Sequence, residues 1–203
     1  MAKVALIGAS GNAGTRILKE LSDRGHSVTA IARNPDRIAA LPQVVARAGD
    51  LYDVETLARL LEGHDAVISA VHFSASDPQA LLSAVRASGV KRYLVVGGAG
   101  SLEVAPGQRL IDQPDFPGAY KAEAQAGAAF LDLLRGADDL EWTFLSPSAM
   151  FVPGERTGSF RLGRDELLTH AGGSSISFED YAIALVDEIE RPAHIRQRFT
   201  VGY

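Results

Sequence analysis

The sequence predicts an α/β fold of the Rossmann type: a doubly wound parallel sheet with helices on both faces and a small C-terminal cap. Three observations predict it. Short β-rich runs alternate with helical stretches, as in βαβ units. The predicted strands are almost continuously apolar, which is typical of parallel strands covered on both faces. A glycine-rich turn follows the first strand and opens the first helix. The length of 203 residues favours a single domain over 1–203.

The first half of the chain begins with the apolar run KVALI (3–7), which predicts a buried strand. The following stretch (13–25) places Ile17, Leu18 and Leu21 on one helical face and ends at a glycine. The same patterns predict strands at HSVTAIA (26–32), QVVAR (43–47) and DAVISAV (65–71), and a helix at VETLARLLEG (54–63).

The second half continues the alternation with a helix over 78–89, which opens with proline and closes with glycine. Further strands are predicted at 92–98, 141–146 and 197–202, and further helices at 119–136 and 178–190. The irregular stretches 101–118 and 147–177 follow the carboxyl ends of strands, where open α/β sheets bind ligands. We therefore expect 146–177 to form a cap segment on the substrate side.

The turn GASGNAG has the spacing G-x-x-G-x-x-G, with glycines at 8, 11 and 14. Glycine allows positive φ in a tight turn and lets the backbone approach a pyrophosphate, and the helix N-terminus directs free N–H groups at the phosphates. Side chains at 10 and 12 can add donors. The alternative is a plain glycine-rich turn. The predicted phosphate-binding residues are Gly8, Ser10, Gly11, Asn12, Ala13 and Gly14.

The end of the second predicted strand bears on which nucleotide binds. An NAD site usually has an acidic residue there, whereas this chain reads AIARNP with Arg33 in that region. A guanidinium suits a 2′-phosphate, so the sequence favours NADP(H) over NAD(H), the alternative being a solvated surface arginine. After the third strand, Asp50 is expected to accept from the adenine amino group and Leu51 to pack on the ring. Alternatively, Asp50 or Asp53 caps the next helix.

Composition excludes several classes of function. The net charge is −5 and the basic residues are scattered, which argues against a nucleic-acid partner. The absence of cysteine excludes disulfides and thiol catalysis, and the histidines lack metal-ligand spacing. No apolar run is long enough for a membrane span or a signal-peptide core, so we expect a cytoplasmic protein.

Several longer segments resemble the atypical short-chain dehydrogenase/reductases. Within that group the chain is most similar to small NAD(P)H-binding proteins described as NADH-flavin reductases, relatives of the NADPH-dependent flavin/biliverdin reductases. The resemblance covers almost the whole chain, and its C-terminal segments are more specific than the glycine turn. It is carried by GASGNAG (8–14), ARNP (32–35), VVGGAGSLEV (95–104), WTFLSPSAMFVPGERTG (142–158), ISFEDYAIALVDEIE (176–190) and RFTVGY (198–203).

The resemblance implies a Rossmann fold with a small cap over the nicotinamide, and it implies roles for individual positions. Three groups of residues follow the fourth, fifth and sixth predicted strands. The resemblance places Ser69, Ala70 and Val71 along the pyrophosphate and nicotinamide ribose, Gly97, Gly98, Ala99 and Ser101 below the nicotinamide, and Ser146, Pro147, Ser148 and Ala149 beside its amide.

One departure from that family matters for the chemistry. Typical short-chain dehydrogenases use Tyr-x-x-x-Lys, in which the lysine lowers the pKa of the tyrosine so that it can act as acid or base. Here Ala124 stands four residues after Tyr120, and no other tyrosine has the spacing. The candidate catalytic residues are therefore Tyr120, Lys121 and Ser101, without the usual proton relay.

For several other side chains the sequence allows two interpretations, one functional and one structural. His72 either faces the crevice as a proton donor or ribose contact, or is a polar rim residue. Three arginines, Arg156, Arg161 and Arg164, either hold an anionic flavin phosphate or form internal ion pairs. Three phenylalanines, Phe116, Phe151 and Phe160, either form a stacking wall for a flat ring or pack in the core.

The sequence thus predicts an NAD(P)H-dependent reductase that passes hydride to a flat small-molecule acceptor, such as free FMN, FAD or a quinone. One alternative is a non-catalytic NADP(H) sensor that binds a partner protein, and another is a reductase or epimerase of a small carbonyl or sugar. The protein is expected to be a monomer or a homodimer without nucleic-acid or membrane partners.

Overall fold

The structure, a computed structural model, describes residues 1–203. Its helices and strands alternate through most of the chain. In chain order they are β1 (Lys3–Ile7), α1 (Asn12–Asp23), β2 (Ser27–Ala32), β3 (Val44–Ala48), α2 (Val54–Leu61), β4 (Ala66–Ser69), α3 (Pro78–Ala87), β5 (Arg92–Val96), β6 (Glu103–Ala105), β7 (Gln108–Arg109), α4 (Lys121–Arg135), β8 (Glu141–Pro147), β9 (Met150–Val152), β10 (Arg161–Gly163), β11 (Ser175–Ser177), α5 (Phe178–Glu190) and β12 (Gln197–Gly202).

The main sheet has eight strands in the order β10-β12-β8-β5-β4-β1-β2-β3. Every neighbouring pair is parallel except β10 with β12. The strand order reverses between β1 and β4, so the carboxyl ends of these two strands flank a crevice suited to a ligand. The Rossmann-type α/β fold predicted from the sequence is confirmed.

Helices cover both faces of the sheet and bury two apolar clusters. One cluster lies under α1 and α5 and includes Ile17, Tyr181 and Phe199. The other lies under α2, α3 and α4 and includes Leu81 and Phe130. Because both faces are covered, the central strands β1, β4 and β5 are buried almost throughout, which explains their continuous apolar sequence.

The segment predicted as a cap contains three short strands. β9 and β11 pair in parallel as a separate two-stranded sheet, whereas β10 joins the main sheet as its antiparallel edge. The main sheet is therefore parallel except at this edge, where β10 runs antiparallel to β12. The other irregular stretch, 101–118, contains the β6–β7 hairpin. No helix of the structure has the length and apolar character that crossing a bilayer requires.

Candidate functional site

A groove with a volume of about 580 Å³ runs along the carboxyl ends of the central strands. It spans the crevice between β1 and β4 and extends to β5 and the cap, which is where doubly wound sheets bind nucleotides. Twelve residues predicted from the sequence line it: Gly8, Ser10, Gly11, Asn12, Ala13, Arg33, Asp50, Leu51, Ala70, Val71, Gly97 and Tyr120.

The glycine turn between β1 and α1 leaves no room for side chains at two of its positions. Gly8 has φ +83°, and a Cβ there would lie 2.3 Å from the carbonyl oxygen of Ala70. A Cβ on Gly14 would lie 2.1 Å from the carbonyl oxygen of Gly8. Gly14 is therefore buried behind the turn, where it packs α1 against β1, and it does not line the groove.

The N-terminus of α1 is arranged for an anion. The helix begins after Gly11 without a side-chain cap, and its first turn contains no acidic residue. The backbone N–H groups of Asn12 and Ala13 have no acceptor within the protein. Unpaired N–H groups and the helix dipole together favour a phosphate at this position.

At one end of the groove the structure separates the roles of two aspartates. The side chain of Asp53 accepts from the N–H of Thr56 at 3.0 Å and caps α2, and these hydrogen bonds lower the pKa of Asp53. Asp50 accepts from the N–H of Tyr52 at 3.0 Å and lines the groove beside Leu51. Arg33 lines the same end, is exposed and forms no ion pair. These surroundings suit an adenosine bearing a phosphate.

Aromatic side chains form the other end of the groove. Phe151 lines it and meets Phe178 edge-on, with 4.5 Å between ring centroids. Phe178 is held from behind by Arg16, whose guanidinium lies 5.6 Å from the ring centroid. Tyr120 also lines the groove and is 67% exposed. Of the three phenylalanines considered from sequence, Phe151 alone lines the groove, and Phe160 packs against the core.

The segment after β4 closes the groove from the α4 side. Glu123, in the first turn of α4, accepts from the N–H groups of Phe73 and Ser74 at 2.8 and 2.9 Å. Its carboxylate also lies 3.5 Å from Nδ1 of His72, which lines the groove. Burial raises the pKa of Glu123, but the hydrogen bonds from Ser74 and Phe73 outweigh burial and lower it below its usual value. Glu123 therefore holds this segment as a carboxylate.

Four predicted site serines do not line the groove, and three of them have hydrogen-bond partners elsewhere. Ser69 is buried, with its hydroxyl 2.8 Å from that of Tyr93, whose pKa is raised by burial. Ser101 accepts from Arg198 at 3.1 Å in a separate polar pocket. Ser148 donates to the carbonyl of Val201 at 3.1 Å. The hydroxyl of Ser146 is buried without a partner.

Four more predicted residues lie off the groove wall. Pro147 is buried at the end of β8, and Gly98 and Ala99 are partly buried in the loop after β5. Lys121 is exposed at the start of α4. Its charge acts on Asp112, whose pKa is lowered chiefly by Arg109 and to a smaller extent by Lys121. Lys121 does not line the groove beside Tyr120.

The position that holds the lysine of Tyr-x-x-x-Lys is closed by packing. Ala124 faces the loop after β5 so closely that a Cβ on Gly100 would lie 2.7 Å from the Cβ of Ala124. Ala124 therefore packs against this loop, and a longer side chain at 124 would be crowded by it. The packing of α4 against the loop after β5 thus favours a small residue at position 124, where the relay would need a lysine.

The three cap arginines are mostly occupied by internal contacts. Arg156 forms two hydrogen bonds of 2.8 Å with the buried Glu20 of α1. Arg161 donates to the carbonyl of Thr169 at 2.6 Å. Arg164 forms no ion pair, and none of the three lines the groove. For Arg156 and Arg161, the structure therefore agrees with internal contacts and not with a flavin-phosphate site.

Sequence reasoning missed several groove residues that have no polar signature. Most of them are the last residues of strands or lie in the segments that follow, and one begins α5, so position at the carboxyl ends of the strands was the available signal. They are Ile7, Ile31, Ala32, Gly49, Tyr52, Phe73, Ala75, Val96 and Phe178.

A Rossmann sheet with a glycine turn, a free helix N-terminus and a groove across the switch point defines a dinucleotide-binding protein. The chain belongs to the NAD(P)H-binding family, whose model matches residues 8–192. Its fold is oxidoreductase-like, consistent with the resemblance to atypical short-chain dehydrogenase/reductases.

Three solved structures illustrate the family. A candidate exported protein from Burkholderia pseudomallei is 48% identical, with TM-score 0.91 and full coverage of both chains. A candidate epimerase from Bacteroides thetaiotaomicron is 39% identical, with TM-score 0.94 over 99% of this chain and 96% of that one. A candidate NADH-flavin reductase from Streptococcus pneumoniae is 40% identical, with TM-score 0.83 over 100% and 99% of the two chains.

Proposed function

We propose that the protein is an NADPH-dependent reductase that passes hydride to a flat acceptor such as free FMN, FAD or a quinone. The observation that carries this proposal is a nucleotide groove that is lined by the aromatic rings of Phe151 and Tyr120 and lacks a Tyr-x-x-x-Lys relay. A dihydronicotinamide bound there supplies the hydride. The protein's own contribution is to bind, orient and shield the reactants.

The groove residues fit the cofactor. The crowded glycine turn admits a pyrophosphate against the backbone, and the unpaired N–H groups of Asn12 and Ala13 would hold it. Asp50 and Leu51 would hold the adenine. Arg33 is the only arginine or lysine on the groove wall, so it would pair with a 2′-phosphate and select NADP(H) over NAD(H).

The aromatic end supports a flat acceptor. The rings of Phe151 and Tyr120 offer faces for stacking, and neither needs to form a covalent bond. A quinone or flavin accepts hydride directly, so the closed position at Ala124 does not block its reduction. The usual short-chain dehydrogenase route to a carbonyl or sugar substrate relies on the Tyr-x-x-x-Lys pair, and this pair is missing here. The relative from Streptococcus pneumoniae, a candidate NADH-flavin reductase, supports the same reading.

The test is oxidation of NADPH by the purified protein with FMN, FAD and a soluble quinone, compared with simple aldehydes and ketones. We expect turnover with the flat acceptors and preference for NADPH over NADH. Gly11→Val is the matched control, because a β-branched side chain at the turn should weaken NADPH binding at least tenfold, or about 1.4 kcal/mol. Tight NADPH binding without oxidation by any acceptor would contradict the proposal and favour a nucleotide sensor.

The cytoplasmic location, the monomeric or homodimeric state and the absence of nucleic-acid and membrane partners stay predictions. They agree with the proposed substrate, because a free flavin or quinone needs only access to the open groove. Size-exclusion chromatography with light scattering measures the oligomeric state directly.

A further inference from the structure

We infer that His72 donates the proton that completes reduction of the acceptor, with Glu123 as the residue that positions it. This inference rests on the proposed function and adds the source of the proton. It starts from the pairing of an imidazole on the groove wall with a carboxylate behind it.

The imidazole is exposed toward solvent and to the groove. Its side chain is 86% exposed, and its Nδ1 lies 3.5 Å from the Oε1 of Glu123. With Nδ1 facing the carboxylate, Nε2 is left for a partner in the groove. Contacts of this kind are often long in ligand-free structures and shorten when substrate binds.

Glu123 is itself fixed from the opposite side. Besides the two backbone N–H groups, the hydroxyl of Ser74 donates to it at 2.5 Å. The carboxylate is two-thirds shielded, with a side-chain exposure of 33%. A carboxylate held this way can orient an imidazole, as in other carboxylate–histidine pairs.

The pair lies where the start of α4 meets the groove wall. Glu123 follows Tyr120 by three residues, about one helical turn, so both groups stand at the start of α4. The next residue after His72, Phe73, packs under the loop after β5, with a ring atom 3.8 Å from the Cβ position of Gly98. His72 lines the same groove as Tyr120, against which the acceptor is proposed to bind.

No other group on the groove wall suits this task as well. The remaining ionisable side chains there are Arg33, Asp50, Tyr52 and Tyr120. Histidine is the residue type that exchanges protons near neutral pH. The only ion-pair partner of His72 is Glu123, from α4.

The step balances simply. The acceptor takes up a hydride, which brings two electrons and one hydrogen. The Nε2–H bond of His72 breaks, and its proton goes to an oxygen or nitrogen of the acceptor. The acceptor leaves with two added hydrogens, and the imidazole regains a proton from water.

The experiment combines kinetics with a measurement on the ligand-free protein. We expect His72→Gln to lower kcat about 100-fold while NADPH affinity, measured by calorimetry, stays within twofold of wild type. Added imidazole should restore part of the activity of His72→Ala. The control is His64→Gln; His64 lies before the amino end of β4 and does not line the groove, so this variant should keep its activity and show no rescue.

The Glu123→Gln variant tests whether Glu123 positions the His72 imidazole or only stabilises the fold. Loss of the carboxylate should lower kcat while NADPH affinity stays within twofold of wild type. In NMR spectra of the ligand-free protein, recorded at one fixed pH, the His72 imidazole signal should move from its wild-type position because the contact with the carboxylate is lost. Wild-type rates in His72→Gln, or an unmoved imidazole signal in a folded Glu123→Gln, would overturn the inference alone. Failure of wild type to oxidise NADPH with every acceptor would overturn the proposed function as well.

Discussion

At the residue scale, Arg33 carries the selectivity of the proposed cofactor site. It is exposed on the groove wall and has no carboxylate partner, so its charge is available to a ligand. We expect Arg33→Ala to weaken NADPH binding by about 10- to 150-fold, since charge-assisted hydrogen bonds contribute roughly 1.5–3 kcal/mol. NADH binding should change little because it lacks the 2′-phosphate. Calorimetry with both nucleotides measures the difference.

Arg37→Ala provides the matched control for this prediction. Arg37 is also exposed and lies in the short 3-10 helix that follows Arg33, but it does not line the groove. The control should leave NADPH affinity nearly unchanged. Equal weakening of NADPH and NADH in Arg33→Ala would show that Arg33 does not bind the phosphate.

Tyr120 is the residue whose hydroxyl the proposed chemistry does not require. Tyr120→Phe removes the hydroxyl and keeps the ring that lines the groove. We expect the variant to retain more than about a tenth of the activity, whereas loss of a positioned general acid costs 10²–10⁴-fold. Steady-state kinetics with the best acceptor tests this. A loss near a thousandfold with intact NADPH binding would make Tyr120 the acid and reopen carbonyl reduction.

Individual residues also show where sequence reasoning reaches its limit. Motif spacing predicted the turn around Gly8 because local backbone geometry sets its shape. The hydroxyls of Ser69 and Ser101 were placed by resemblance alone, but long-range partners, Tyr93 and Arg198, hold them. Which way a side chain at the end of a strand points depends on such partners, and spacing does not contain them.

At the element scale, the strands and helices of the main sheet were predictable because each carries its own apolar pattern. The last helix and last strand, Phe178–Glu190 and Gln197–Gly202, have the predicted bounds. The cap strands β9, β10 and β11 have three residues each and were not predicted. Strands this short show no detectable periodicity in the sequence, and whether they form depends on pairing with distant segments.

The contact between α4 and the loop after β5 gives a prediction about the missing relay. Ala124→Lys restores the Tyr-x-x-x-Lys spacing, but the lysine must displace the loop at Gly100. We expect a loss of about 1–3 kcal/mol in the free energy of unfolding, as for other overpacked sites, and no gain of carbonyl reduction. Urea unfolding and an aldehyde assay measure the two effects.

Gln125→Lys is the control on the same helix, since this position is exposed. It adds the same charge and side chain without the contact at Gly100, so its stability should stay within about 0.5 kcal/mol of wild type. A stable Ala124→Lys variant that reduces aldehydes would contradict this prediction. It would show that the loop accommodates the lysine and that the missing Tyr/Lys pair alone prevented aldehyde reduction.

At the scale of the whole molecule, polar contacts fasten the cap to the sheet domain. Arg156 binds Glu20 of α1, and Gly158 donates to the buried Asp180 of α5 at 2.8 Å. Glu179 joins the two sides, because it accepts from Arg16 at 3.0 Å and from the N–H of Gly154 at 2.9 Å. The exposed stretch 153–158 is thus held by carboxylates of the helices beneath it, next to the aromatic end of the groove.

Hydrogen bonds and ion pairs to carboxylates, in the cap and elsewhere, make the stability of the fold sensitive to acid. Seven carboxyl groups have a pKa below their usual value in the folded protein: Glu20, Asp53, Asp112, Glu123, Asp139, Glu179 and Glu190. A carboxyl group whose folded pKa is depressed contributes stability above its unfolded pKa and loses that contribution as pH falls through the folded value. The usual values are 4.5 for glutamate and 3.8 for aspartate. The free energy of unfolding should therefore decrease as pH falls below about 4.5.

Glu20 tests this origin of acid sensitivity. Burial raises its pKa, but hydrogen bonds and charge from Arg156 and Arg24 outweigh burial and lower it. Glu20→Gln keeps the shape and removes the charge, so we expect it to be about 1–3 kcal/mol less stable than wild type at pH 7. The difference should shrink as pH falls below 4.5, because the wild-type carboxyl group then becomes protonated too. Urea unfolding at several pH values measures it, with Glu62→Gln, an exposed residue outside any ion pair, as the control. A stability difference for Glu20→Gln that stays constant with pH would mean that packing of this side chain, and not its charge, holds the cap to α1.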